Sequence, residues 1–155
     1  VNRDTLLIIG IVALLAAGTG TAIYMGARGI RNNNPGNIRH GASKWQGMSA
    51  DQTDSEYIQF DDPVYGIRAL AKLLKNYQSR HGLNTIREII NRWAPPSENI
   101  TSAYVDHVSR VVGVHPDSEI SVTDKITPLV VSIIKHENGQ QPYTPEQIAQ
   151  GISLS

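Results

Sequence analysis

The residue with the clearest chemical promise is Glu137, in the run Leu129 to Thr144 that reads L-V-V-S-I-I-K-H-E-N-G-Q-Q-P-Y-T. Its apolar start, its polar close, Gly139 and then Pro142 describe a buried helix coming to a stop, with Gly139 in the left-handed position after the helix end. At helical spacing Glu137 falls on the side of Val130, Ile133 and Ile134, so its carboxylate shares the apolar face. It also occupies the last turn, where free carbonyls carry partial negative charge. Both effects favour the neutral acid, and a carboxyl group protonated near neutrality is what a general acid needs. His136, about a hundred degrees around the helix, is expected to be exposed.

A lone glutamate at a helix end, beside a small polar segment, suggests glycoside hydrolysis. That reaction needs one protonated carboxyl group at the glycosidic oxygen, and a second carboxylate, a water or a substrate group to meet the cationic transition state. Asp51, Asp54 and Glu56 could supply the second carboxylate, and Glu56 is the runner-up for the catalytic role because it heads the alternating E-Y-I-Q-F of Glu56 to Phe60. Trp45, Tyr57, Tyr104 and Tyr143 could stack on sugar rings or pack in the core with their polar ends tied off. Asn37, with Asn33 and Asn34, could hydrogen-bond acetamido groups or simply build the turn around Pro35-Gly36, read as type II. The geometric expectation is that Glu137 lines a cleft faced by the Glu56 segment, with Trp45 or Tyr57 near its rim.

The elements that must position these groups are mostly helical. Asp62-Pro63 opens a helix through about Arg80, carrying Ile67, Leu70, Leu73, Leu74 and Tyr77 on one face and ending at Gly82. Thr85 to Glu88 forms a capping box for a helix with Ile86, Ile89, Ile90 and Trp93, stopped by Pro95-Pro96. A third helix, about Thr101 to Val112, places Tyr104, Val105, Val108, Val111 and Val112 inward, and Glu98 or Asn99 would cap it. Thr123 or Asp124 would cap the Glu137 helix, and Thr144-Pro-Glu-Gln starts a last one. Gly41 to Phe60 is polar and interrupted, with one or two small strands. The expected fold class is therefore α+β and mostly helical, of a size at which a single core suffices.

Composition narrows the partners. Lys plus Arg equals Asp plus Glu at 14 each, which gives no footing for nucleic acid. There is no cysteine, and the five histidines lack metal-ligand spacing, so neither a metal nor another cofactor is expected. Residues 5–27 carry no charge over 23 positions, long enough to cross a bilayer as one helix. The organisation read from this is a short tail (1–4), a transmembrane anchor binding the lipid membrane (5–27) and one domain (28–155). A cleaved signal peptide with Gly20-x-Ala22 at its end is the alternative. Arg28, Arg31, Arg39 and Lys44 follow the span, which by charge asymmetry leaves the domain on the cytoplasmic side.

The motifs N-N-N-P-G-N-I-R, W-x-G at Trp45 to Gly47, E-Y-I-Q-F, Y-G-I-R-A-L-A-K-L-L-K-N-Y and W-A-P-P-S-E-N-I-T-S-A-Y together resemble phage and prophage proteins of the lysozyme-like superfamily, peptidoglycan-degrading domains often labelled as structural proteins. The resemblance spans about Gly29 to Ile152. I-I-K-H-E-N-G is similar to the end of the catalytic helix of lytic transglycosylases, but lies late in the chain, as a circular permutation would place it. It implies a lysozyme-like domain after one transmembrane helix, cutting the β-1,4 linkage of peptidoglycan glycan strands with Glu137 as acid. The implied location is a phage virion membrane with the domain facing the capsid side, and capsid or other virion proteins as partners. The competing expectation is a non-enzymatic virion structural protein linking membrane and capsid.

Overall fold

The computed structural model describes residues 26–96 and 100–155. In chain order these form α1 (Arg28–Arg31), α2 (Pro63–His81), α3 (Ile86–Trp93), α4 (Thr101–Val112), α5 (Ile126–Asn138) and α6 (Pro145–Ser153). Local chemistry sets most of the ends. Asp62 accepts the Val64 N–H at 2.8 Å with Pro63 in the first helical position, and Gly82 closes α2 at φ 65°. Capping boxes Thr85/Glu88 and Thr144/Gln147 start α3 and α6, and Gly113 and Gly139 end α4 and α5 in the left-handed conformation. The start of α5 differs from expectation. Neither Thr123 nor Asp124 caps it; Lys125 holds the cap position without a side-chain bond, and the preceding turn is closed by the Asp124 N–H on the Ser121 hydroxyl at 3.2 Å. The capping role read for Glu98 or Asn99 lies outside the described residues.

Around α2 the other helices gather. Its Ile67, Leu70, Ala71 and Leu74 are fully buried against Ile86, Ile89 and Ile90 of α3, Val105 and Val108 of α4, Leu129, Val130, Ile133 and Ile134 of α5, and Ile148 of α6. Gly151 lets α6 come close, since a Cβ there would lie 2.7 Å from Ile67 Cβ and 3.0 Å from the Val64 carbonyl oxygen. Val111, expected inward, is 44% exposed. Ile38, Ile58, Phe60 and Ala69 make a second, smaller cluster, with Trp45, Met48, Tyr65 and Leu73 against it. Trp93 packs on both clusters.

The expected small β segment is corrected, and with it the lysozyme-like α+β class. Among the described residues there are only isolated antiparallel bridges, Arg39 with Tyr57, Met48 with Phe60 and Thr85 with Glu119. Side chains occupy the backbone groups that a strand partner would use. Gln59 Oε1 accepts the N–H of Thr53 at 2.6 Å and of Asp54 at 3.1 Å, Gln52 Oε1 accepts that of Gln59 at 2.8 Å, and Asp54 Oδ1 accepts those of Glu56 and Tyr57 at 2.9 and 3.0 Å. What remains is a helical bundle flanked by a loop-built segment at residues 32–62.

That flank is fastened by the asparagines. Asn34, fully buried, donates to the carbonyls of Ile38 and Ile58 at 2.9 and 2.8 Å and accepts the Ile38 N–H at 3.0 Å. Asn33, left-handed at φ 51°, donates to the Phe60 carbonyl at 2.9 Å, and Asn32 donates to Asp54 at 2.8 Å. From the α5 end, Asn138 reaches across to the Pro35 carbonyl at 2.8 Å. The Pro35-Gly36 turn is closed by the Asn37 N–H on the Asn34 carbonyl at 2.9 Å, yet Gly36 has no positive φ, so it is not type II; Asn37, at φ 49°, takes the left-handed position instead. Gly36 serves contact: a Cβ there would meet the Trp93 ring at 3.2 Å.

The single-span membrane localisation is also corrected. Among the described residues no helix is long and apolar enough to cross a membrane, so the structure gives a membrane-spanning protein, or a domain held on a virion membrane, no support. The predicted span itself falls on residues 1–25, outside the described residues, apart from its last two positions.

Candidate functional site

Five parts of the chain bring side chains to Glu137. α5 delivers the carboxylate, α4 Tyr104, the end of α3 Trp93, the 32–39 loop Asn37 and Arg39, and α2 Leu73 and Tyr77. The Tyr104 hydroxyl donates to Glu137 Oε1 at 3.0 Å and the Trp93 indole N–H donates to the same oxygen at 3.2 Å. The Asn37 amide donates to Oε2 at 3.2 Å. Together with Gly36, Ile38, Ala94 and Pro95, these residues (Tyr104 apart) line a cleft of about 280 Å³. A carboxylate held by three donors from three separate elements has a fixed direction, which a positioned acid or base requires.

The aromatic wall is itself ordered. Tyr77 and Trp93 meet edge to face with centroids 6.4 Å apart, and burial pushes the Tyr77 hydroxyl above its ordinary pKa. Behind Tyr104, the His136 ring stacks at 3.6 Å with an interplanar angle of 13°, and His107 lies 5.6 Å from His136. His136 is thus half-buried rather than exposed. Burial first, and then the neighbouring His107, lower its pKa to about 4.

This shift has a sign that stability measurements can read. The unfolded chain binds the His136 proton from about pH 6.5 downward, whereas the folded chain resists it until about pH 4. The folded protein is therefore expected to lose stability as pH falls through that window, by about 1–2 kcal/mol after allowing for solvent screening of a ring that is only partly buried. His136→Phe, which keeps a ring on Tyr104 and removes the titration, should flatten the pH dependence of the urea midpoint between these limits. An unchanged slope would place the titrating group elsewhere.

Of the side chains singled out from sequence, the structure brings together Glu137, Asn37 and Tyr104. Glu56 does not line the cleft: it pairs with Arg28 at 2.5 Å, and its other oxygen lies 4.0 Å from Arg39. Tyr57 does not line the cleft either; it is buried, with the guanidinium carbons of Arg28 and Arg39 at 4.6 and 5.2 Å from its ring centre. Trp45 packs on the smaller cluster and Tyr143 on the larger one, and burial raises the Tyr143 hydroxyl to about 12. Trp93, Tyr77 and Arg39 were not foreseen as site residues. Trp93 and Tyr77 read from periodicity alone as core positions, and only the cleft at the seam between bundle and flank shows their second role. Among the described residues no three His, Cys, Asp or Glu side chains converge as a metal site.

No family model matches this chain. It is, however, 40% identical over 136 residues to protein P5 of Pseudoalteromonas phage PM2, an alignment that covers 85% of this chain and 84% of that protein. The chain belongs to the P5 family of phage proteins. Kinship on that scale covers most of the described domain.

Proposed function

We propose that this chain is a structural component of a bacteriophage particle, with other virion proteins as its partners. The relation to phage protein P5 over most of both chains carries this reading. It is tested by mass spectrometry of particles purified through a density gradient and washed in high salt. The chain is expected to stay with the particles at a fixed stoichiometry to the major coat protein; loss into the wash would defeat the reading.

A second reading concerns what such a component does, and it is favoured by the Glu137 constellation. We infer that the cleft takes a glycan strand of peptidoglycan and that Glu137 donates a proton to the glycosidic oxygen. Tyr77 and Trp93 supply aromatic surface for the sugar rings, and Tyr104, Trp93 and Asn37 hold the carboxyl group in place. Among the described residues no second carboxylate lines the cleft, and in this reading a water or a hydroxyl of the substrate completes the reaction. Cell-wall clearing by the purified chain and by Glu137→Gln tests this. The variant keeps an oxygen for the Tyr104 and Trp93 donors, so it should fold, and its clearing rate is expected to fall by at least about a hundredfold. Equal clearing would remove Glu137 from the chemistry, and a parent that clears nothing would leave the architectural role alone.

A further inference from the structure

Two buried side-chain oxygens near Glu137, Asn37 Oδ1 and Asn138 Oδ1, accept no hydrogen bond. Both face the same spot. A Cβ on Gly29 would stand 2.7 Å from the first and 2.5 Å from the second, with the Asn34 carbonyl oxygen 2.9 Å away. Three oxygens thus converge where only the weak Cα–H donors of Gly29 can answer them. Buried acceptors left unanswered are costly, and their like dipoles repel. Asn138 cannot relieve this by turning over its amide. Its nitrogen donates to the carbonyls of Pro35 and Ile134 at 2.8 and 2.9 Å, and an oxygen in that place would meet both. Asn37 can. The two ends of its amide are nearly alike in size, so a half-turn brings its N–H groups to the side of Asn138 Oδ1 without repacking. Asn37 Oδ1 then takes the place of a nitrogen that stands 3.2 Å from Glu137 Oε2, which is favourable only when Oε2 carries a proton.

Bond lengths around Glu137 agree with a neutral acid. Tyr104, Trp93 and Asn37 lie 3.0, 3.2 and 3.2 Å from its oxygens, whereas Asp54, held ionised by Arg28, draws the amide of Asn32 to 2.8 Å. Hydrogen bonds to an ionised acceptor are the shorter kind. Oε1, with the Tyr104 and Trp93 donors on it, is served as the carbonyl oxygen of a carboxylic acid, and Oε2 is the place for its hydroxyl.

We propose that Asn37 is the positioning residue that keeps Glu137 protonated: in the resting chain its amide is turned over, accepting the Oε2 hydroxyl and donating to Asn138 Oδ1, and it turns back to donate to Oε2 when the proton leaves. The cleft then holds an uncharged acid, and a ligand that takes its proton is met by an amide that reorients to support the carboxylate left behind. This concerns the chain alone and does not depend on a glycan in the cleft. The ionisable groups around Glu137 are Tyr77 of α2, Arg92 of α3 over the Tyr77 ring, Tyr104 and His107 of α4, and His136 and Lys135 of α5 itself. Arg39 of the loop lies over Tyr57 and beside Glu56, Arg28 of α1 is bonded to Asp54, Arg31 to the Gly26 carbonyl, and α6 carries one charge, the exposed Glu146.

The test is NMR spectroscopy of the full chain without ligand. Only in the turned orientation do the Asn37 side-chain amide protons lie beside the Gly29 Hα protons and give a cross-peak to them. The Glu137 carboxyl carbon, assigned by its loss in Glu137→Gln, reports the proton. At neutral pH the parent should show the cross-peak together with a carboxyl carbon upfield of the exposed glutamates. Raising the pH should move that carbon downfield and abolish the cross-peak with one common midpoint. The Glu137→Gln chain, whose amide is a lasting stand-in for the neutral acid, should keep the cross-peak at every pH. An ionised carboxyl carbon without the cross-peak at neutral pH overturns the proposal, and so does a cross-peak that ignores the carboxyl titration or is missing from the variant. Should the variant not fold, the two signals of the parent decide by themselves. Wall clearing tests the glycan reading separately.

Discussion

A Gly66→Ala substitution is expected to cost about 3 kcal/mol or more, enough to leave a domain of this size largely unfolded at moderate temperature. Helix propensity argues the other way, since alanine in a helix is worth about 1 kcal/mol over glycine. Sterics decide the sign. A Cβ on Gly66 would overlap the carbonyl oxygen of Asn33 and stand 2.8 Å from Pro35 Cδ. Neither can yield cheaply, because Asn33 is left-handed, its side chain is bonded to the Phe60 carbonyl, and Asn34 beside it is fully buried. Relief requires moving α2 away from the flank. Gly113→Ala is the control: with nothing within 4 Å of its Cβ and a φ of 76°, it should cost only about 1 kcal/mol from backbone strain. Urea denaturation of the two variants separates these outcomes. A Gly66→Ala chain at least as stable as the parent would show that α2 and the loop do not touch as described.

Asp54→Asn is expected to cost about 2 kcal/mol and to remove most of the acid sensitivity of the flank. The Asp54 side chain is 10% exposed and accepts two bonds from Arg28, one from Asn32 and two backbone N–H groups. The Arg28 guanidinium, foremost among these donors, holds the carboxyl group well below the usual carboxylate range. Its contribution is thus complete above the unfolded value of 3.8 and is lost progressively as pH drops below that. The figure is kept modest because Arg28 is 40% exposed and regains water when its partner goes. Thermal melts from pH 5 to 2 should show the parent falling steeply below about pH 4 and the variant falling less. Parallel curves would mean that another carboxylate governs acid unfolding.

The helices were legible because their signals are local. Asp62-Pro63, two capping boxes and three left-handed glycines fix ends through neighbours only a few residues away. Glu137 was legible for a related reason, a carboxylate out of place in an apolar helix pattern. The flank was not. E-Y-I-Q-F alternates like a strand, but Asp54, Gln52 and Gln59 answer its backbone with side chains, and no periodicity reports that. Similarly, the asparagine run reads as a turn or as ligand donors, whereas Asn34 turns out to be a fully buried tie between the loop and the segment at Ile58. Trp93 and Arg39 acquire their place only when α3 and the loop meet, across contacts between residues far apart in the chain.

The double allegiance of Trp93 has a consequence for how the molecule comes apart. Its ring belongs to both hydrophobic clusters, lies against Gly36 and donates to Glu137, so it works as the hinge pin between bundle and flank. The flank has the smaller apolar store and leans on polar ties, the usual profile of a unit that opens first while the rest stays folded. Such an opening would dismantle the cleft and leave the helices standing. A molecule seated between Tyr77 and Arg39 would close that door from both sides, so that filling the cleft and welding flank to bundle are a single event.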